Sequence, residues 1–159
     1  MTVPRADEDF LLREYEAADR SVCLAIFDSN CPKYFSVPER EEFAAWLDEE
    51  DRASYSVIER DGKVVACGGI FHEPKDDSVG MAWGMVHQDL HRQGLGRRLT
   101  EFRLQQMAEQ FPRSIQRLGT SQRTFEFYEK MGFRVEKITP NGYAEGIDRY
   151  DMVRIPSES

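Results

Sequence analysis

Two glycines separated by one residue stand between an apolar segment and a long helix-forming segment. The apolar segment runs from Met81 to Val86, and the glycines are Gly94 and Gly96. A glycine turn that leads into a helix start exposes backbone N–H groups, and the helix dipole adds about half a positive charge there. This arrangement predicts an anion-binding site, with phosphate as the anion.

The charges around this turn support the same prediction. Arg97 and Arg98 fall in the first helical turn, where the dipole disfavours cations, so two in succession indicate a compensating polyanion. Residues 88–134 carry nine bases and five acids, whereas residues 1–61 carry seven bases and 16 acids. This polarity suits a polyanionic cofactor on one side and an amine substrate on the other. The acidic run from Asp48 to Asp51 fits equally well a solvated helix end.

The residues after the glycines exclude two nucleotide-binding loops. A dinucleotide-binding turn would have a third glycine where Leu99 stands, and no Gly-Lys-Ser/Thr of a nucleoside-triphosphate loop follows. The spacing resembles the acyl-CoA loop of the GCN5-related N-acetyltransferases (GNAT family), Gln/Arg-x-x-Gly-x-Gly/Ala. Here the loop reads His91-Arg92-Gln93-Gly94-Leu95-Gly96. His91 departs from the family pattern but keeps a hydrogen-bond donor.

A second stretch similar to this family lies about thirty residues downstream. It reads Tyr128-Glu-Lys-Met-Gly132-Phe133 and fits the family's Tyr-x-x-x-Gly-Phe, with Ser121 and Thr124 where many members have Asn and Ala. The resemblance covers nearly the whole chain, and its sharp motifs cover about 79–133.

Hydrophobic periodicity predicts the order strand–helix–helix–three strands–helix–strand–helix–strand–strand. The clearest local signal is a hairpin at Asp61-Gly62. The order matches the N-acetyltransferase architecture. We therefore expect one domain over residues 1–159, of the α/β (α+β) class, with a mixed, mostly antiparallel sheet of about seven strands flanked by about four helices.

The helix after the glycine loop is expected to be contacted on two sides. At about 100° per residue its apolar side chains form two groups on nearly opposite faces. These groups are Leu95, Leu99 and Phe102, and Leu104, Ala108 and Phe111.

The resemblance implies an acetyl-CoA-dependent N-acetyltransferase that acetylates a primary amine of a small molecule or peptide by direct attack on the thioester. In this family a backbone amide at the end of the strand before the loop polarises the thioester carbonyl, which points to Val86 or Met85. Tyr128 stands where the family often keeps a tyrosine near the sulfur, so it is the candidate general acid. The expected cofactor-binding residues are Met85, Val86, His91, Arg92, Gln93, Gly94, Leu95, Gly96, Arg97, Arg98, Ser121 and Tyr128.

The sequence identifies no general base. The strand 79–86 contains no acid or histidine, and Gly80 occupies the place of the carboxylate that some family members have. Candidates elsewhere, or a chain of water molecules, stay open; they are Asp28, Glu73, His87 and Asp148.

Substrate residues are expected in the break between the first two helices and in the last hairpin. Tyr34, Phe35 and Tyr143 offer apolar and hydrogen-bonding surface there. Loop aromatics that cover the core would have the same pattern, so both interpretations stay open.

A different class of function also stays open, a catalytically inactive CoA-binding regulatory module on the same fold. The missing strand carboxylate and His91 are compatible with it. An enzyme and a pure binder differ in whether an amine releases CoA.

Composition narrows the partners and the compartment. The net charge of −8 repels nucleic acid. The sequence contains no stretch of eighteen apolar residues, so we expect no membrane span. The three cysteines follow no paired metal spacing, so we expect reduced thiols in a cytoplasmic protein and no metal. Self-association into a homodimer stays open.

Overall fold

The computed structural model describes residues 10–31, 33–49, 54–91 and 93–156, which form seven strands and four α-helices. Two short 3-10 segments, Ala17–Asp19 and Gln88–Leu90, accompany them. The predicted order of elements is confirmed. In chain order the elements are β1 (Phe10–Glu14), α1 (Arg20–Ser29), α2 (Glu39–Leu47), β2 (Tyr55–Arg60), β3 (Lys63–Glu73), β4 (Ser78–Val86), α3 (Leu95–Gln110), β5 (Ile115–Thr120), α4 (Phe125–Glu129), β6 (Arg134–Ala144) and β7 (Ile147–Arg154).

All seven strands belong to one sheet, in the order β1-β2-β3-β4-β5-β7-β6. Neighbouring strands are antiparallel except β4 and β5, which are parallel because α3 crosses over between them. The predicted mixed, mostly antiparallel sheet is therefore confirmed.

The two faces of the sheet carry different helices. Val57 and Cys67 are opposite each other in β2 and β3 and pack with α1 and α2. The next pair, Ile58 and Ala66, packs with the start of α3 on the other face, as the alternation of side chains along a strand requires. No helix of the described residues is long and apolar enough to cross a membrane.

The buried stripe of α3 differs from the expected one. It consists of Leu95, Leu99, Arg103 and Met107 at i, i+4 spacing, and Arg103 is buried although it is charged. Ala108 is exposed, so the expected second contact face is wrong at that position. The prediction that Leu95 and Leu99 share one buried face is confirmed, but periodicity missed the continuation of the stripe to Met107 because Arg103 interrupts the apolar pattern.

A bulge interrupts β4 near its end. Cys67 stands opposite Met85 and Gly69 opposite Ala82, so Trp83 and Gly84 together face one residue of β3. A bulge bends the strand and changes the direction of its side chains. The last residues of β4 are therefore offset from the regular sheet.

Candidate active site

The pairing between β4 and β5 ends after three residues. Ser78–Gly80 pair with residues 115–117 of β5, and beyond Gly80 the described strands are no longer paired. From Met81 to Val86, β4 therefore has an open edge. Such an edge presents backbone N–H and C=O groups that can pair with an extended ligand.

The direction of the amides at the end of β4 distinguishes the two candidates for polarising the thioester. His87 donates its N–H to the Val65 carbonyl at 2.9 Å, and Met85 stands opposite Cys67 in register. Because successive N–H groups of a strand point to opposite sides, the Met85 amide faces β3 and the Val86 amide faces the open edge. The strand geometry therefore favours Val86.

Two side chains hold the carbonyl of Val86, which also points away from β3. The Asn30 side-chain amide donates to it at 2.9 Å, and Nε2 of His91 lies 3.0 Å from it. Asn30 is buried and donates as well to the Ile26 carbonyl, which fixes its position. The His91 ring thus contacts the strand end. Asn30 comes from the end of α1, and no motif in the sequence pointed to it.

The glycine turn leaves open space at the start of α3. Gly94 has a φ of 85°, in the left-handed region that favours glycine, and a Cβ there would meet nothing within 4 Å. At Gly96 the nearest atom to a Cβ would be Cγ2 of Val86 at 3.9 Å. The Arg98 N–H donates to the Gly94 carbonyl, so the N–H groups of residues 95–97 precede the first bond of the helix. Space and donors together fit a phosphate.

The predicted loop residues differ in their surroundings. Leu95 is buried in the core between α3 and the sheet. Arg97 is exposed and pairs with Glu101 at 3.0 Å along the helix, whereas Arg98 is half-buried. Arg92 lies outside the described residues.

A further cation lies at this loop. The side-chain oxygen of Gln93 accepts a hydrogen bond from Nη1 of Arg60 at 3.1 Å. Arg60 is the last residue of β2, and its guanidinium lies 5.5 Å from the centre of the Phe10 ring. Sequence patterns did not reveal it because it is more than thirty residues from the loop.

Ser121 directly follows β5, and Tyr128 packs on Leu118 in the part of that strand that no longer pairs with β4. Tyr128 lies in α4, half-buried against Leu118 and Phe133. Ser121 is buried, and its hydroxyl oxygen accepts the N–H of Arg123 at 3.2 Å. Ser121 thus closes the turn before α4, and a catalytic role of the Tyr128 hydroxyl stays a prediction.

The predicted substrate residues of the first helix break pack inward. Phe35 stacks on Phe27 at 5.0 Å between ring centres and contacts the core below α1 and α2. Tyr34 meets the edge of the His91 ring at 5.3 Å. Tyr34 therefore lies next to the residues that hold Val86, whereas Phe35 supports them from the core.

Tyr143 reaches from β6 across β7 to β5. Its hydroxyl packs directly on Gly119, since a Cβ added to this glycine would be only 2.6 Å from the hydroxyl oxygen. The Arg149 guanidinium is 5.8 Å from the centre of the Tyr143 ring. Gly119 belongs to the part of β5 that no longer pairs with β4, so this phenol lies beside the opening. Burial raises the pKa of Tyr143 to about 12, and the phenol stays protonated at neutral pH.

The segment between α1 and α2 and the hairpin between β6 and β7 line one cleft of about 530 Å³. These are the two segments in which substrate residues were expected. The residues that line the cleft include Lys33, Ser36, Arg123, Glu145 and Ile147. Lys33 adjoins the predicted substrate residue Tyr34 in the chain, and Glu145 is two residues from Tyr143. The fold thus brings the two segments together.

The carboxylates considered as bases are engaged elsewhere or distant. Asp28 pairs with Arg40 at 2.8 Å, and the Asp148 carboxylate accepts the N–H of Asn141. Glu73 lies at the other end of β4 from Val86. Within the described ranges, no three His, Cys, Asp or Glu residues are grouped so that they could hold a metal ion.

Residues 51–135, more than half of the chain, match the family model described as the acetyltransferase (GNAT) domain. The chain belongs to the GNAT acetyltransferase family. The resemblance inferred from the two motifs is confirmed, and the predicted enzyme class, an N-acetyltransferase, is the class of this family.

Known proteins similar to this GNAT chain include one curated sequence and many structures. An amino-acid acetyltransferase of Mannheimia succiniciproducens is 32% identical over 91 residues, which are 57% of this chain and 20% of that protein. The chain thus spans about a fifth of the length of this relative. The ribosomal-protein-S18-alanine N-acetyltransferase of Escherichia coli has a TM-score of 0.76 at 20% identity, over 94% of this chain and 96% of that one. The yncA protein of Salmonella typhimurium, solved with its cofactor acetyl-CoA, has a TM-score of 0.72 at 18% identity, over 95% and 96%. These structural likenesses concern the fold.

Proposed function

We propose that this GNAT chain transfers an acetyl group from acetyl-CoA to a primary amine of a small molecule or peptide, by direct attack of the amine on the thioester. The observation that carries the proposal is the junction of the glycine turn with the open edge of β4. Gly96 lies beside Val86, and His91 of the loop contacts the Val86 carbonyl. One extended donor can therefore reach both the amides of α3 and the amide of Val86.

The start of α3 would hold the pyrophosphate. Its first N–H groups face the open space at Gly94, and Arg60 and Arg98 add positive charge nearby. Acetyl-CoA supplies the reactive thioester, and the chain binds and orients it. The bound cofactor in the yncA structure supports this choice of donor.

The Val86 N–H would stabilise the charge that develops on the thioester oxygen. This stabilisation depends on a fixed orientation of the N–H, since a preorganised donor needs no reorientation during the reaction. Asn30 and His91 provide that direction by holding the carbonyl of the same residue. They are positioning residues, and Tyr128 is the proposed donor of a proton to the leaving thiolate.

The cleft between the α1–α2 segment and the β6–β7 hairpin is the proposed entry of the amine. Tyr34 and Tyr143 adjoin in the chain two residues that line this cleft, Lys33 and Ala144, and they contact His91 and Gly119 at the opening. The names of two similar proteins refer to an amino acid and to an alanine of a ribosomal protein. Both support an acceptor in which the amine belongs to an amino acid or a peptide. Three further properties stay predictions from the sequence: a single domain, a cytoplasmic location and the absence of a nucleic-acid partner. The question of a homodimer stays open.

Two measurements test the proposal: the thermal shift with acetyl-CoA and CoA release with a panel of amino acids, polyamines and peptides. A ligand at 100 times its Kd stabilises a protein by about 2.7 kcal/mol, so binding gives a clear shift. Stabilisation with CoA release from at least one amine supports the enzyme. Stabilisation without release from any amine would support the regulatory module, and no stabilisation would refute the donor site.

A further inference from the structure

Arg103 is a buried cation on the side of α3 that faces the sheet. Its exposed fraction is 2%, and its Nε has no hydrogen-bond partner. Within the described ranges no ion pair reaches its guanidinium either. A buried Nε–H without a hydrogen-bond partner opposes folding, because the hydration that it loses is not replaced. Its presence therefore calls for an explanation other than stability.

The guanidinium lies against the bulge of β4. A Cβ at Gly84 would be 2.4 Å from Nη1 and 2.5 Å from Nη2, so glycine leaves the room that the guanidinium occupies. The preceding residue, Trp83, has a φ of 46°, which strains a bulky side chain. Two unfavourable features, a strained bulge and an unpaired cation, thus meet at one point of the open edge.

The neighbouring phenol does not neutralise this cation. The Tyr55 hydroxyl donates to the Trp83 carbonyl at 2.8 Å, and burial raises the pKa of this phenol well above its ordinary value. The phenol is therefore neutral at physiological pH, and an anion would have to come from a ligand.

The place of Arg103 in the fold indicates which ligand. Gly84 precedes Val86 by two residues in the unpaired part of β4, and Arg103 approaches it from the α3 face. The cleft for the amine is bounded by the α1–α2 segment, which belongs to the opposite face. The amine attacks perpendicular to the plane that holds the thioester oxygen, the sulfur and the acyl chain. Within this plane the sulfur would reach Val86 from the glycine loop, so the acyl chain would extend along the open edge away from the loop, towards Gly84 and Arg103.

We propose that Arg103 binds a carboxylate at the far end of the donor's acyl group. The chain would then transfer, from its CoA thioester, an acyl group that is derived from a dicarboxylic acid and keeps its second carboxylate free. This inference rests on the proposed function for the site and refines its donor. The amine nitrogen bonds to the thioester carbon, the C–S bond breaks, and the sulfur leaves with the electron pair. The sulfur takes up a proton and the amine loses one, while the distal carboxylate stays unchanged on Arg103.

The chemistry of the pair explains the selectivity. A guanidinium binds a carboxylate through two parallel N–H···O bonds, which a methyl group cannot replace. A site built for such bonds rejects an analogue that lacks the partner, because its buried donors are left unpaired. An acyl chain of equal length without the carboxylate should therefore react much more slowly.

The test compares succinyl-CoA with butyryl-CoA, whose acyl chains have the same number of carbons and end in a carboxylate or a methyl group. For the wild type we expect kcat/KM to favour succinyl-CoA about tenfold or more. Arg103→Met should abolish or invert this ratio without lowering the stability of the free protein, since it removes an unpaired buried charge. Arg113→Met, at an exposed arginine after α3, is the matched control and should keep the ratio.

A binding measurement separates this inference from the proposed function. The thermal shift with succinyl-CoA should exceed that with butyryl-CoA, and Arg103→Met should equalise the two even if no amine is acylated. Gly84→Ala, which displaces the guanidinium, should act in the same direction if Arg103→Met does not fold. Equal shifts in the wild type, or an unchanged difference in Arg103→Met, would overturn the assignment. A variant that loses only the preference for an amino acid over its amide would assign Arg103 to the acceptor and also overturn it.

Discussion

Two phenols lie near the opening between β4 and β5, and the family motif selects only one of them. Tyr128 carries the predicted role of general acid, whereas the hydroxyl of Tyr143 is buried against Gly119. Tyr128→Phe should lower kcat roughly 10²-fold, the usual scale for a general acid, with little change in the affinity for acetyl-CoA. Tyr150→Phe, in β7 where the ring packs on Phe125, is the matched control and should leave kcat within a few-fold. Equal rates for wild type and Tyr128→Phe, under conditions where the chemical step limits turnover, would contradict the assignment.

Asn30 and His91 act on one carbonyl, that of Val86, and this leads to a test of coupling. Asn30→Ala should lower kcat about tenfold by loosening the peptide that carries the Val86 N–H, while KM for acetyl-CoA changes little. His91→Ala should have a similar effect. The fold-decrease of kcat in the double variant should be smaller than the product of the two single fold-decreases. Steady-state kinetics of the four proteins check this. Strictly independent effects would indicate that the two side chains do not position Val86 together.

The start of α3 is the proposed binding site for the pyrophosphate of acetyl-CoA, which the N-terminal amides of the helix would hold. Gly96→Val places a side chain in the open space beside Val86 while the φ there is compatible with any residue. We expect the free protein to change by less than about 1 kcal/mol, since valine is no worse than glycine in a helix. The thermal shift with acetyl-CoA should disappear. Ala108→Val, on the exposed side of the same helix, should keep the shift; a retained shift in Gly96→Val would refute the loop assignment.

Elements with their own local signals were predictable from the sequence. The Asp61-Gly62 hairpin, the glycine turn before α3 and the order of strands and helices follow from turn chemistry and hydrophobic periodicity. The bulge at Trp83 was not predictable, because it depends on the register of β4 against β3. Arg103 was missed for a related reason, since a charged residue in a buried stripe violates the pattern by which stripes are recognised.

The candidate site exists only when the whole sheet is assembled. Val86 is held by Asn30, which is 56 residues away in the chain, and Arg60 reaches the loop from the end of β2. Tyr143 comes from β6, near the other end of the sheet. Contacts between such distant residues leave no trace in a single sequence, which is why the motifs located the donor site and left its supporting residues open.

The edge strand β1 is tied to the rest of the molecule by a charged group that makes stability depend on pH. Arg13 donates two hydrogen bonds of 2.8 Å to the buried Asp19 and pairs with Glu59 of β2. These hydrogen bonds lower the pKa of Asp19 below its ordinary value of 3.8. A lowered pKa in the folded state stabilises the protein fully above the ordinary value, and this stabilisation is lost as the pH falls towards the folded pKa.

Asp19→Asn should therefore lower the free energy of unfolding by roughly 1–3 kcal/mol at pH 7, because it removes the buried carboxylate from its pair with the partly exposed Arg13. The difference from the wild type should shrink as the pH falls below 3.8 towards the lowered pKa of Asp19, because the wild-type carboxylate then also becomes protonated. Urea unfolding of both proteins at pH 7 and at an acidic pH below 3.8 measures this. Asp48→Asn, which breaks the exposed pair with Arg20, is the control and should cost less than about 1 kcal/mol. A loss of equal size at both pH values would mean that Asp19 acts through its packing and its hydrogen bond from the Glu16 N–H, rather than through its charge.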